Sequence, residues 1–214
     1  MKKRVVLALA KIAIFASLST VLYFIRIPLT FLFPSFLEIQ FSNLPAVIGG
    51  FLTGPVYGVL IVIIRTLITL PFSTTQCVGE LADLLIGVMV VFSSSLVYRK
   101  FKTKKGGLLS LLVSIIVWVL MSVVTNRFIT LHYYMKLFEM SEEMVVEMLD
   151  AALLSKFFGE ITTTNYMKIY IFSCVIPFNL IVSLVVSLIT LVVYKRVSNA
   201  FHNLDNRVYE KENK

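Results

Sequence analysis

No GxxxxGK[ST] run occurs in this chain, so it has no P-loop with which to hydrolyse a nucleotide. HExxH and GxSxG are missing as well, so neither signature of hydrolytic chemistry is available. Cysteine is scarce. Cys77 and Cys174 lie in or beside apolar segments without metal-ligand spacing, so they read as packed or free thiols, and no metal or cofactor is expected. His132 and His202 are far apart and fall in different topological contexts. Room for a soluble domain is also lacking, because about six spans of ~20 residues each use up most of the chain.

What remains is apolar. Hydrophobic residues make up 58% of the chain and the mean hydropathy is +0.89, far outside the range of soluble domains. The apolar runs predict six spans, at about Val5–Ile25, Leu44–Thr53, Val56–Leu70, Gly79–Tyr98, Leu108–Phe128 and Ile169–Tyr194. The basic start and apolar first run could also suit a signal peptide, but no Ala-x-Ala-type cleavage site follows, which favours a retained helix. Arg26 to Phe41 is a Pro-punctuated connection, and Gly54-Pro55 and Pro71 bound the second and third spans. Those two are too short to cross as straight helices and must tilt, borrow flanking residues or shelter inside the bundle.

Five cations crowd into the seven residues from Arg99 to Lys105. With Lys2, Lys3, Arg4, Lys195 and Arg196 they predict a cell-membrane, multi-pass protein with both termini and this loop cytoplasmic. The longest excursion, Leu131 to Tyr166, is net acidic and fits the outside. Within it, Met144, Val145, Met148, Leu149, Ala152 and Leu153 recur at helical spacing behind Ser141, an N-cap candidate. This predicts a short amphipathic helix over the outer mouth. The expected organisation is an all-α, six-transmembrane-helix membrane domain over 1–198 and a polar, frayed cytoplasmic tail over 199–214.

Against this background, Arg65, Glu80, Asp83 and Arg127 stand out inside or at the ends of apolar segments. An ionised group at bilayer depth costs at least ~2.5–3.5 kcal/mol, so such residues face a partner, a cavity or a ligand. Glu80 and Asp83, three residues apart, could share a helix face as a carboxylate pair would. That leaves open an intramembrane enzyme using them, beside a binding protein or a structural subunit without a ligand.

Several motifs occur in series along the chain. They are Glu38-Ile39-Gln40-Phe41-Ser42-Asn43-Leu44-Pro45, Phe51-Leu52-Thr53-Gly54-Pro55 and the cationic third span with Arg65. Val78-Gly79-Glu80-Leu81-Ala82-Asp83-Leu84-Leu85-Ile86-Gly87, Asn126 through Tyr134, and Pro177-Phe178-Asn179-Leu180-Ile181-Val182-Ser183 follow. In this order they resemble the S components, the substrate-binding membrane subunits, of energy-coupling factor vitamin transporters, and most closely the riboflavin type. Asp83 departs from the Asn of that pattern, Gln40 and Asn43 from acids, His132 from Pro and Val182 from Lys.

The resemblance implies a six-helix bundle that binds riboflavin, a related vitamin or another small vitamin or precursor near its outer face. It also implies a transmembrane coupling subunit and two cytosolic ATPase subunits as partners, rather than an enzyme acting alone. Polar residues in the outer half of the topology are the candidate substrate site: Gln40, Asn43, Arg65, Glu80, Asp83, Asn126, Tyr133 and Asn179, with Tyr134 beside them. Arg65 either anchors an anionic ligand or pairs with Asp83 or Glu80. Mid-span Trp118 reads as core or lipid-facing. For partner docking, Ala13, Ala16, Ser17 and Thr20 repeat at i, i+3, i+4 and i+7, a smooth stripe where another helix can approach. The alternative is packing of that stripe within the chain.

Overall fold

The structure is a computed structural model that describes residues 2–34 and 36–210. The chain starts with α1 (Lys2–Tyr23), followed by a two-residue antiparallel pair, β1 (Ile27–Pro28) and β2 (Glu38–Ile39), with Ile27 opposite Ile39. Then come α2 (Asn43–Thr53), α3 (Pro55–Thr69), α4 (Val78–Lys100) and α5 (Lys104–Thr125). A π-helical turn over Asn126–Thr130 carries α5 into α6 (Leu131–Leu137), and α7 (Glu142–Ala151) follows. The short α8 (Tyr166–Ile169) runs through a second π-helical segment, Tyr170–Val175, into α9 (Ile176–Glu210).

Among the described residues, five continuous helical stretches are long and apolar enough to cross a membrane. They are Val5–Tyr23, Pro55–Phe72, Val78–Lys100, Lys104–Leu137 and Tyr166–Phe201. The second predicted span, α2, is different. Its eleven residues extend only about 16 Å at 1.5 Å per residue, roughly half of a bilayer core. It is buried in the bundle over most of its length, which shelters its ends from lipid. Gly54 alone separates α2 from α3, at φ +105°, where a side chain would be strained. Pro55 then opens α3, where its missing N–H costs nothing. The two helices touch through glycine: a Cβ on Gly58 would lie 2.7 Å from the Gly50 Cα.

Two expected boundaries move. The fifth span continues as helix through Leu137, so the excursion begins after it rather than at Leu131. The helix of the sixth span, α9, does not end at Tyr194 but runs to Glu210, with the Phe201 ring 5.3 Å from that of Phe15. Met1 and the last four residues of the expected tail lie outside the described residues. The amphipathic helix does form as α7: the Ser141 hydroxyl accepts from the Met144 N–H, and Val145 and Leu149 are buried.

The helices alternate in direction, which brings Arg99–Lys105 to one end of the bundle and the 26–41 and 73–77 connections to the other. Near the basic end an aromatic knot ties α2, α4 and α9: Phe51 stacks on Tyr98 at 4.6 Å, and the Tyr98 hydroxyl donates to Tyr194 at 2.8 Å. The opposite end is hollow.

Candidate binding cavity

That hollow has a cavity volume of about 150 Å³ below its open mouth. The end of α1 with Arg26, the 36–43 stretch, Thr75 and the start of α4, the α5–α6 stretch and the start of α9 converge on it. Its aromatic faces are Tyr23, Phe36, Trp118, Tyr134 and Phe178. Gln40, Asn43, Glu80, Asp83, Asn126 and Asn179 supply polar groups.

The polar groups are held rigidly. Arg65 is fully buried and does not line the cavity. It stands behind the wall, with its guanidinium 2.7 Å from the Asp83 carboxylate and donating to Asn43 Oδ1 at 2.9 Å. Asn43 Nδ2 closes the triangle by donating to Asp83 at 3.1 Å. Gly87 makes room for it, since a Cβ there would sit 2.7 Å from Asn43 Oδ1. Of the two sequence alternatives for Arg65, the structure has the pairing with Asp83.

Glu80 is already engaged by the chain. Ser73 and Thr75 donate to it at 2.6 and 2.9 Å, Tyr23 donates through its hydroxyl, and Arg26 lies 3.8 Å away. Arg26 also reaches Glu38 at 3.4 Å, so Glu80 pins both connections at the mouth. The two carboxylates of the suggested pair therefore serve separate networks. Among the described residues, no group of three His, Cys, Asp or Glu side chains is placed to hold a metal.

The π-helical segments put the amides in place. Tyr170 donates to Asn126 Oδ1 at 2.7 Å, and Asn126 Nδ2 donates to the Ser122 carbonyl at 2.9 Å. Trp118 Nε1 donates to Asn179 Oδ1 at 3.2 Å, and Asn179 Nδ2 donates to the Val175 carbonyl at 2.9 Å. Each amide keeps one N–H and one lone pair for the cavity. Ser42 Oγ and Thr130 Oγ1, both on the lining residues, are buried without a hydrogen-bond partner. Such orphans are uncommon and ask for a ligand or an ordered water.

One sequence expectation needs correction. Tyr133 is 56% exposed and turned away from the cavity, and Tyr134 lines it instead. The extra residue in the π turn before them rotates the helix face, which plain helical spacing does not anticipate. Of the two alternatives for Trp118, the structure has the core position, from which it also contributes to the lining. A signal was present: Trp118, Ser122, Asn126, Thr130 and Tyr134 recur every fourth residue, a stripe that the wider π turn keeps on one face. The small-residue stripe of α1 also divides. Ala16 is 2% exposed and packs inside the bundle, while Ala13 and Ser17 are exposed and Thr20 is half-buried.

Comparison with known proteins agrees with this architecture. The chain is 27% identical over 191 residues to "Riboflavin transporter RibU" of Staphylococcus aureus (strain TCH60), covering 89% of this chain and 90% of that protein. It is 24% identical over 129 residues to "Riboflavin transporter FmnP" of Bacillus subtilis (strain 168), covering 59% and 67% respectively. A solved S component of a bacterial ECF transporter shares the fold, with a TM-score of 0.67 over 93% of this chain and 98% of that one, at 23% identity. The sequence model for "ECF transporter, substrate-specific component" matches residues 7–194. With its apolar helices and its hollow end, the chain belongs to the substrate-specific components of ECF transporters.

Proposed function

We propose that the cavity binds riboflavin for uptake driven by partner subunits. The observation that carries this reading is the composition of the lining. A flat heterocycle finds aromatic faces in Phe36, Trp118, Tyr134 and Phe178, and fixed hydrogen-bonding groups in Asn43, Asp83, Asn126 and Asn179. The orphaned Ser42 and Thr130 hydroxyls add two groups in search of a partner. Glu38, Glu80 and Asp83 outnumber Arg26 among the charges of the lining, which favours the neutral vitamin over its phosphate ester. Both curated relatives are riboflavin transporters by name. Titration of riboflavin into the purified chain, followed by quenching of flavin fluorescence, tests the reading directly. Tight binding that the phosphate ester matches poorly is expected. A well-folded chain that ignores riboflavin would transfer the assignment to another small vitamin or precursor within the same family.

In this reading the chain captures the vitamin at the outer face of the cell membrane, with both termini and the Arg99–Lys105 loop in the cytoplasm. A cysteine introduced at Lys104 should escape an impermeant thiol reagent in intact cells, and labelling there would invert the topology. Lacking a P-loop, the chain draws on a transmembrane coupling subunit and two ATPase subunits for energy, as the family resemblance implies. Ala13 and Ser17, exposed on α1, offer a low surface for the coupling subunit's helices. Ala13→Trp should therefore depress uptake by the complete complex while leaving riboflavin affinity of the isolated chain within a few-fold. A parallel collapse in affinity would show that this face packs internally.

A further inference from the structure

A second cleft, with a cavity volume of about 590 Å³, lies on the other side of the cavity wall. It is bounded by the end of α3, the 76–78 connection, the start of α4 and the α5–α6 stretch. These are the ends of three candidate membrane spans, on the same side of the bundle as the cavity mouth. The cleft interior is apolar, with Leu70, Leu81, Leu84 and Ile129 on facing helices. Leu81 of the lining and Leu67 on α3 are exposed, on helices long and apolar enough to cross a membrane.

The lining carries one charge, Lys136, and no acidic residue. Among the described residues Lys136 has neither an ion pair nor a hydrogen-bond partner, and its neighbours on the lining include the Tyr133 hydroxyl and the Gln76 amide. Lysine and tyrosine at a span end occupy headgroup depth, above the hydrocarbon. We propose that this cleft is a binding site for one anionic phospholipid, whose phosphate meets Lys136 and Tyr133 while an acyl chain fills the groove between α3, α4 and α6.

The two hollows share their walls. On α4, Glu80 and Asp83 face the cavity while Leu81 and Leu84 face the cleft. Beyond the π turn, Thr130 and Tyr134 face the cavity while Ile129, Tyr133 and Lys136 face the cleft. Thr75 belongs to the cavity, and Gln76 and Cys77, both at positive φ, belong to the cleft. A lipid seated in the cleft buttresses the wall that carries Asp83 and the connection that caps Glu80.

Native mass spectrometry of the full chain, released from detergent containing either phosphatidylglycerol or phosphatidylcholine, tests the site. The wild type should retain phosphatidylglycerol about fivefold better than phosphatidylcholine, as expected for one lysine at the headgroup. Lys136→Gln should erase that preference, and Leu81→Trp, which fills the groove, should lower retention of both lipids. Unfolding midpoints of the two variants, measured beside the wild type, establish that they are folded. Equal retention of both lipids by the wild type, or a preference that survives Lys136→Gln, would overturn the proposal. Displacement of the bound lipid by glycerol phosphate alone would also overturn it, because the acyl chain would then contribute nothing.

Discussion

Arg65→Ala should lower the unfolding midpoint of the purified chain by roughly 10 °C, corresponding to about 3–5 kcal/mol, and remove ligand binding with it. Arg65 has no exposed surface, and its guanidinium meets Asp83 at 2.7 Å and Asn43 at 2.9 Å. Truncation leaves the Asp83 carboxylate without its cation at the wall of a membrane-embedded cavity. The Asn43 amide is then its one remaining side-chain partner in the triangle. A buried ion pair need not add net stability over an apolar pair, whereas half of one is strongly destabilising. Arg65→Met combined with Asp83→Leu should accordingly regain much of the lost midpoint while ligand binding stays absent. A midpoint for Arg65→Ala within a degree of wild type would mean that the triangle contributes nothing to folding.

Asn126→Ala should weaken riboflavin by about tenfold to more than a hundredfold, the cost of ~1–3 kcal/mol for leaving a buried ligand group unpaired. Asp83→Ala does not isolate ligand contact in this way, because it leaves the buried Arg65 guanidinium without its anion and destabilises the fold as well. The Asn126 amide spends one acceptor on Tyr170 and one donor on the Ser122 carbonyl, so its remaining groups face the cavity in a fixed orientation. Tyr170→Phe separates contact from bracing, because it removes only the hydrogen bond that orients the amide. A smaller loss for Tyr170→Phe than for Asn126→Ala is expected from fluorescence titration, and equal losses would reduce Asn126 to a brace. Val182 lines the same cavity without a polar group, and Val182→Ala should leave affinity within a few-fold.

The wrong placement of Tyr133 has a local cause. Tyr133 follows the π turn over Asn126–Thr130, which shifts the phase of the helix, and hydrogen-bond spacing inside a helix leaves no mark on hydrophobic periodicity. Ala16 fails differently. A run of small residues predicts close packing but does not name the partner, and here Ala16 faces the chain's own core while Ala13 does not.

By itself, the sequence determined what the bilayer enforces. Long apolar runs must become helices because every backbone polar group needs a partner in hydrocarbon, and the basic clusters collect at one end. It also singled out Glu80 and Asp83, because ionised groups at bilayer depth are too costly to lack a purpose, and the resemblance added Gln40, Asn43, Asn126 and Asn179 in the outer half of the topology. Only the tertiary structure decided which of the charged residues are available. Arg65 is spent on Asp83 and Asn43, and Glu80 on Tyr23, Ser73 and Thr75, because residues distant in sequence meet across helices whose crossings are set by packing. Cavity, lining and ownership of each charge are products of those crossings, and no local pattern encodes them.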